Sequence, residues 1–300
     1  MYDTIIVGGG VAGLTAGLYL GRAKRKCLIL EGRILGGQTA LLNKVSNYPA
    51  LPDVSGYDIA EKLINQVKSF DVEIKNELVI ECVEKDKNFV LTTTKGKYEC
   101  KNLIIATGAK TGVLGLPEEK RFVGKGVSYC ATCDGNFFKG KTVAVVGVGN
   151  TAKQDITYLL GLAKEVIWFV PSGNLPKQVL QDLDNSNLKI MYSTQILTLN
   201  GNDRLESVTY YDSKQKKSFE LRVDGLFVEM GRLPNLEWLK VEIKKNKKGF
   251  VLVNKNCQTS HKRIFACGDI TSRELKQIIT ACSDGAVASN HIITNDKFIN

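Results

Sequence analysis

The chain of 300 residues lacks the features that mark membrane and secreted proteins. No apolar run reaches the roughly 20 residues that a membrane-spanning helix requires. The first ten residues, MYDTIIVGGG, have neither the basic start nor the long apolar stretch of a secretory signal. We therefore expect a cytoplasmic protein, without a membrane partner, that is long enough for two packed domains.

Histidine and paired cysteine are also scarce. The two histidines, His261 and His291, are isolated, and of eight cysteines only Cys130 and Cys133 are closely spaced. This pattern argues against a framework of structural disulfides in a cytosolic chain. A structural zinc site would need four ligands, which one pair and two distant histidines do not supply. We expect no metal, and we expect the other six cysteines to be small buried apolar side chains.

Acidic residues are outnumbered by basic ones, 31 against 41, which gives a formal net charge of +10. A basic surface attracts acidic partners. The densest basic run is KKNKK, Lys244 to Lys248, and no aromatic residues alternate with its lysines to stack on bases. On its own this run predicts a solvated turn, and no nucleic-acid partner is expected.

One pattern occurs twice in the chain. YDTIIVGGGVAGLTAGLYL opens it and KTVAVVGVGNTAKQDITYL lies near its middle, each an apolar strand-like run, then glycines, then a helix-period segment. The small residues of the two turns are Gly8, Gly10 and Gly13 in the first, and Gly147, Gly149 and Ala152 in the second. The repeat predicts an α/β protein with two dinucleotide-binding (Rossmann-like) domains.

Two turn-rich segments, residues 103–118 and 231–239, indicate where the chain crosses between these domains. We expect a discontinuous first domain, residues 1–113 and 242–300. The second domain, residues 114–241, is expected to be inserted into it.

The first glycine turn has the context of a nucleotide site. The strand KCLILEG follows it and ends at Glu31, whose carboxylate can accept both hydroxyl protons of an adenosine ribose. The turn itself lets the backbone approach a pyrophosphate at a helix N-terminus. The first domain is therefore predicted to hold the adenosine end of FAD or NAD(H).

The second glycine turn lacks that context. Its following strand, EVIWFVPSGNL, ends without an acid for a ribose and without an arginine or lysine for a phosphate. A bidentate guanidinium contact to phosphate is among the stronger polar contacts, so its absence matters. The sequence predicts a nucleotide-binding fold from which the nucleotide contacts are missing.

The cysteine pair is predicted to be a redox couple. Its Cys-x-x-Cys spacing, Cys130 to Cys133, lets a disulfide close and open with little backbone movement. Asp134 directly follows and is a candidate acid for the departing dithiol. A flavin accepts electrons singly or in pairs and can pass a pair to a disulfide, so an FAD domain joined to this pair would convert between the two.

Over nearly its whole length the chain resembles the low-molecular-weight thioredoxin reductases. The matching motifs are GGGVAG (8–13), GGQT (36–39), NYP (47–49), ATG (106–108), CATCDG (130–135), GRLPN (231–235), CGDI (267–270) and KQIITACSDG (276–285). CATCDG is highly specific to this family.

The resemblance implies an FAD cofactor in the first domain and the redox disulfide in the second. The residues that would contact FAD are Gly8, Gly10, Ala12, Gly13, Glu31, Gln38, Asn47, Thr107, Gly108, Gly268, Asp269, Lys276, Gln277 and Ile278. Cys133 would lie next to the isoalloxazine, Cys130 would exchange with the disulfide of thioredoxin, and Asp134 would be the acid. A homodimer and a rotation between the domains are also implied.

The electron donor is where the chain departs from most relatives. NADPH-dependent members carry a His-Arg-Arg cluster and a further arginine where PSGNL stands here, and Gln154 and Asp155 replace a pair of glutamates. A subgroup that lacks those arginines takes single electrons from reduced ferredoxin. We therefore expect ferredoxin as donor and thioredoxin as acceptor, both of them acidic proteins. The alternatives are an NAD(P)H-dependent reductase with an atypical nucleotide site, an O2-linked dithiol oxidase, and a non-catalytic redox sensor.

Overall fold

The computed structural model describes residues 1–42, 44–175, 177–180, 183 and 186–295. It divides into two compact units. The first unit contains Met1–Lys110 and Leu233–Asn300, and the second unit contains Thr111–Arg232. In the described ranges, no helix combines the length and the apolar character needed to cross a bilayer.

The first part of the first unit is built on a parallel sheet. Its elements are β1 (Tyr2–Val7), α1 (Val11–Arg22), β2 (Cys27–Glu31), α2 (Gly56–Lys68), β3 (Glu73–Asn76), β4 (Val79–Lys85), β5 (Asn88–Thr93) and β6 (Lys97–Ile105). The strand order is β3–β2–β1–β6, and β5 and β4 continue it as antiparallel strands. Ile5 pairs with Leu28 and Leu103 at the centre, where all three side chains are buried. This burial accounts for the nearly continuous apolar runs of these strands.

The second unit repeats this arrangement after the connecting strand β7. The strands at the two crossings are β7 (Ala109–Thr111) and β16 (Arg232–Pro234). Between them the second unit contains α3 (Glu119–Phe122), β8 (Val127–Ser128), α4 (Ala131–Asp134), β9 (Thr142–Gly147), α5 (Asn150–Leu160), β10 (Glu165–Val170), α6 (Lys177–Leu180), β11 (Leu188–Tyr192), β12 (Thr194–Asn200), β13 (Ser207–Asp212), β14 (Lys217–Arg222) and β15 (Gly225–Glu229). A parallel sheet has the order β11–β10–β9–β15–β8, and β12–β13–β14 form an antiparallel sheet. β7 and β16, at the two crossings, pair with each other.

The returning chain completes the first unit with β17 (Ile264–Ala266) and α7 (Ile278–Asn295). β17 adds to β6 in parallel, and α7 packs along α1. The two helices approach closely because Gly285 has no side chain: a Cβ there would lie 2.2 Å from the Ala12 carbonyl oxygen. The Ser289 hydroxyl then donates a hydrogen bond to the Ala16 carbonyl at 3.0 Å.

The predicted α/β fold with two dinucleotide-binding domains, the second inserted into the first, is confirmed. The chain passes between the two units after residues 110 and 232, and the expected boundaries at 113 and 241 stay a prediction. The segment after residue 232 packs on β4, because Cys82 N donates to Trp238 O and Lys240 N donates to Cys82 O. The assignment of cofactor and disulfide roles to these ranges stays a prediction.

Candidate functional site

The first glycine turn joins β1 to α1 in the predicted way. Gly8 has φ +110°, and a Cβ on it would lie 2.3 Å from the Ala106 carbonyl oxygen. A Cβ on Gly13 would lie 1.9 Å from the Gly8 carbonyl oxygen, so the turn closes only with glycine at both positions. At Gly10 the nearest atom to an added Cβ is 3.8 Å away, and no side chain caps α1 in the described structure. The N-terminus of α1 is therefore open to an anionic group.

Glu31 lies beside this turn, as the sequence predicts. Its two carboxylate oxygens accept hydrogen bonds from Gly9 N and Arg33 N, each at 2.7 Å. These bonds fix the carboxylate at the end of β2, and a carboxylate has further lone pairs that can accept ribose hydroxyls.

The Gly268–Asp269 segment reaches the same turn from the other end of the chain. A Cβ on Gly268, whose φ is +76°, would lie 2.9 Å from Ala12 Cβ, so the two segments are in close contact. Lys276 Nζ donates to the carbonyl oxygens of Asp269 and Thr271, each at 2.8 Å. Lys276 thus binds the main chain of the predicted cofactor segment.

The remaining predicted FAD contacts lie around this core of the first unit. Gln38 Nε2 donates to Ala109 O at 2.5 Å, and Asn47 Nδ2 donates to Gln277 Oε1 at 3.0 Å. Thr107 Oγ1 donates to Asn235 O at 3.3 Å. Gly108 has φ +63°, and α7 begins at Ile278.

These residues fit FAD. The open start of α1 and the side-chain-free approach at Gly10 suit a pyrophosphate, and Glu31 suits a ribose. Gly8, Gly10, Ala12, Gly13, Glu31 and the Gly268–Asp269 segment would hold the adenosine and pyrophosphate parts. When bound, FAD supplies the chemistry that takes up electrons and passes a pair to a disulfide.

Sequence reasoning missed a buried acid that shapes this site. Asp284, on α7 and 3% exposed, accepts hydrogen bonds from Gly268 N at 3.2 Å and from Arg273 Nε at 3.0 Å. Burial raises its pKa, and Arg273 opposes that rise. Asp284 therefore fixes the backbone of the Gly268–Asp269 segment. In the sequence, the one indication of this role is that Asp284 is an acid within the otherwise apolar helical pattern of KQIITACSDG.

In the second unit a disulfide joins Cys130 and Cys133, with the two Cα atoms 5.3 Å apart. Cys130 is the residue before α4, and Cys133 lies within that helix. Ser128, the last residue of β8, links it to the predicted acid: its hydroxyl accepts a hydrogen bond from Cys130 N at 3.1 Å and donates one to Asp134 Oδ2 at 2.6 Å. Burial raises the pKa of Asp134, and the Ser128 hydrogen bond lowers it in part. A carboxyl with a raised pKa beside a disulfide suits the donation of a proton.

A second pair of acids adjoins the disulfide and was not predicted as a site. Asp155 on α5 accepts a hydrogen bond from Ala131 N, directly after Cys130, at 3.0 Å. Glu229, at the end of β15, shares a hydrogen bond with Asp155. Burial raises the pKa of Glu229, and the Asp155 carboxylate raises it further. Their positions 74 residues apart in sequence (229 minus 155) gave no local signal.

The second glycine turn keeps its shape. Gly147 has φ +146°, and a Cβ on it would lie 2.2 Å from the Glu229 carbonyl oxygen. Gly149 has φ +105° with open space around it, and no side chain caps α5 among the described residues. At the end of β10, residues 171–174 are exposed and uncharged, and the Ser172 hydroxyl donates to Asn174 O at 2.9 Å.

Comparison with known proteins places the chain in a family. Residues 2–285 match the family model described as pyridine nucleotide-disulphide oxidoreductase. The thioredoxin reductase of Treponema pallidum is 36% identical over 294 residues, which cover 96% of this chain and 95% of that protein. A crystal structure of thioredoxin reductase from Streptococcus pyogenes has TM-score 0.93 and 33% identity, with 99% of this chain and 98% of that chain covered.

A further relative of known structure is named for its electron donor. The ferredoxin-flavin thioredoxin reductase from Clostridium acetobutylicum has TM-score 0.55 and 27% identity, and the match covers 99% of this chain and 98% of that one. The glycine turns, the disulfide and these matches agree. The chain belongs to the pyridine nucleotide-disulphide oxidoreductase family and, within it, to the low-molecular-weight thioredoxin reductases, flavoproteins that bind FAD and reduce disulfides.

Proposed function

We propose that this thioredoxin reductase takes its electrons from reduced ferredoxin and passes them to thioredoxin. The observation that carries the proposal is the uncharged end of β10, residues 170–175. An NADPH site needs cationic side chains there for the 2′-phosphate, and an NADH site needs a carboxylate for the ribose. A donor that transfers electrons without binding as a nucleotide does not need either.

The ferredoxin-flavin enzyme of Clostridium acetobutylicum, which matches 99% of the chain, shows that this fold can take a ferredoxin donor. Thioredoxin as the acceptor is supported by the relatives, whose names describe reduction of that protein.

The reaction at the disulfide balances with two molecules of ferredoxin. Each gives one electron, and two electrons with two protons convert the Cys130–Cys133 bond to two thiols. We assign Cys133 to the exchange with the flavin and Cys130 to the exchange with thioredoxin. Cys130 as thiolate attacks the thioredoxin disulfide, Cys133 closes the internal bond, and thioredoxin leaves as a dithiol. Asp134 holds a proton for the departing sulfur.

An NAD(P)H donor is the second candidate, and the geometry of the second glycine turn favours it. The open space at Gly149 and the uncapped start of α5 would admit a pyrophosphate. Such an enzyme would have to hold the ribose through contacts other than the usual charged side chains.

Anaerobic assays of thioredoxin reduction separate these candidates. The purified protein is supplied in parallel with photoreduced ferredoxin, NADPH or NADH, and free thiols on thioredoxin are counted. We expect turnover with ferredoxin alone, and no turnover with any donor in a Cys133→Ser variant. Turnover with NADPH at a rate matching ferredoxin would overturn the proposed donor.

A cytoplasmic homodimer is also proposed. The six cysteines outside the redox pair are free thiols, which suits a reducing compartment.

A cavity of about 400 Å³ in the first unit has an apolar rim that includes Tyr19 and Ile279, each 42% exposed. A second copy would cover these side chains. Sedimentation at micromolar concentration should give twice the monomer mass, and a monomer mass would exclude the dimer.

A further inference from the structure

The lysine turn, residues 244–248, has a backbone held in one shape. Asn246 Oδ1 accepts hydrogen bonds from Lys248 N at 2.9 Å and from Phe250 N at 3.0 Å, and Asn246 N donates to Phe250 O at 2.9 Å. Phe250 is buried, whereas all four lysines of the turn are exposed. The turn therefore presents a fixed group of ammonium charges to solvent.

This turn lies beside the segment where FAD is predicted to bind. Val251 N, just after the turn, donates to Ile270 O at 3.0 Å. Lys276 Nζ lies 4.5 Å from the centre of the Phe250 ring and donates to Asp269 O. Main-chain and side-chain contacts of Phe250 and Val251 thus connect the end of the lysine turn to the predicted cofactor segment in the first unit.

The positive charges of the turn face solvent, because all four lysines are exposed. In the described part of the chain, no carboxylate forms an ion pair with Lys244, Lys245, Lys247 or Lys248. Exposed lysines contribute little to stability, but a local group of like charges attracts an oppositely charged protein and speeds its association.

We propose that the lysine turn is the docking surface for the acidic iron–sulfur protein that reduces the flavin. The inference rests on the proposed ferredoxin dependence and adds where that donor binds. Thioredoxin is also acidic, but it must reach Cys130 in the second unit, whereas the turn adjoins the predicted cofactor segment of the first. The turn therefore suits the donor rather than the acceptor.

The test compares two triple variants that lose the same charge. Lys245, Lys247 and Lys248 are changed to Gln in one, and Lys214, Lys216 and Lys217, exposed at the β13–β14 hairpin, are changed to Gln in the control. Stopped-flow mixing with a photoreduced bacterial ferredoxin measures the second-order rate of flavin reduction. We expect an about tenfold lower rate in the first variant at low ionic strength, with the difference lost at high salt. The control variant should keep the wild-type rate.

Two further measurements make the result specific. Reduction by dithionite should be equal in all variants, and a variant with Arg at positions 245, 247 and 248 should keep the wild-type rate with ferredoxin. Equal ferredoxin rates in both Gln variants would overturn the docking surface. So would a loss confined to thioredoxin reduction, which would place the acceptor there. If the proposed function itself is wrong, ferredoxin will not reduce the flavin of the wild-type protein. That result is distinct from any difference between the variants.

Discussion

Asp134 is joined to the redox pair through one hydroxyl. Ser128 accepts a hydrogen bond from Cys130 N and donates one to Asp134. A change in the charge of Asp134 therefore alters the hydrogen bonding of the Cys130 backbone. Burial raises the pKa of Asp134, which keeps the carboxyl protonated to a higher pH than in a solvated aspartate. We expect the transfer of this proton to the departing sulfur to limit the rate at which the dithiol is released.

The variant Asp134→Asn tests this role. Thioredoxin reduction at neutral pH should fall by about 10²-fold, since a positioned acid is lost. The wild-type rate should also decline as pH rises through the raised pKa of Asp134, whereas the variant should lack that decline. A pH–rate profile measures both, with Asp203→Asn, an exposed acid of the same unit, as control. An unchanged profile in Asp134→Asn would remove Asp134 from the reaction.

Glu229 gives a stability prediction. Its raised pKa means that the folded protein binds a proton that the unfolded chain has released, so stability declines as pH rises from the ordinary glutamate pKa towards the raised one. The glutamine of Glu229→Gln cannot titrate. The free energy of unfolding of this variant should therefore fall with pH by about 1 to 3 kcal/mol less than that of the wild type over that range. Urea unfolding between pH 5 and 8 measures the slope. The exposed Glu206→Gln should leave it unchanged, and equal slopes in all three proteins would contradict the raised pKa of Glu229.

Among the elements, the junction between β1 and α1 contains two glycines with different roles. Gly13 is needed for packing, whereas Gly10 is expected to leave room for the cofactor. An added Cβ fits at Gly10, where φ is −73° and the nearest atom is 3.8 Å away, but not at Gly13, where it would lie 1.9 Å from Gly8 O. Gly10→Ala should fold normally and bind FAD at least about tenfold more weakly, because its methyl group occupies the space of the pyrophosphate.

Gly13→Ala should instead lower the stability of the cofactor-free protein by about 1 to 3 kcal/mol, since α1 must move. Thermal unfolding of the FAD-free proteins and equilibrium dialysis with FAD distinguish the two effects. Normal FAD affinity in a folded Gly10→Ala would show that the cofactor does not approach this turn.

The elements that the sequence predicted are those with local signals. The strand–glycine–helix turns, β2 ending at Glu31, and the cysteine pair were predicted because each signal lies within a few residues. The Asp284–Arg273 and Asp155–Glu229 contacts were missed because tertiary folding brings these side chains together. The expected domain boundary at residue 241 stays a prediction. The packing of the segment around Trp238 on β4, far away in sequence, has no local signal either.

In the whole molecule, two nucleotide-binding folds are present, but their charged contacts differ. The first unit has Glu31 beside its glycine turn, and the second has an uncharged segment in the equivalent place. The second unit instead carries the redox disulfide, which its parallel sheet and α4 position. We therefore expect side-chain charge, rather than the fold, to determine the source of electrons.

The most direct test is the rate at which the bound flavin is bleached in an anaerobic stopped-flow experiment. In one experiment the holoenzyme is mixed with NADPH, and in a second it is mixed with photoreduced ferredoxin. The two donors supply equal concentrations of reducing equivalents. We predict rapid loss of the oxidised flavin absorbance with ferredoxin and almost none with NADPH over the same time. Rapid bleaching by NADPH would contradict this prediction.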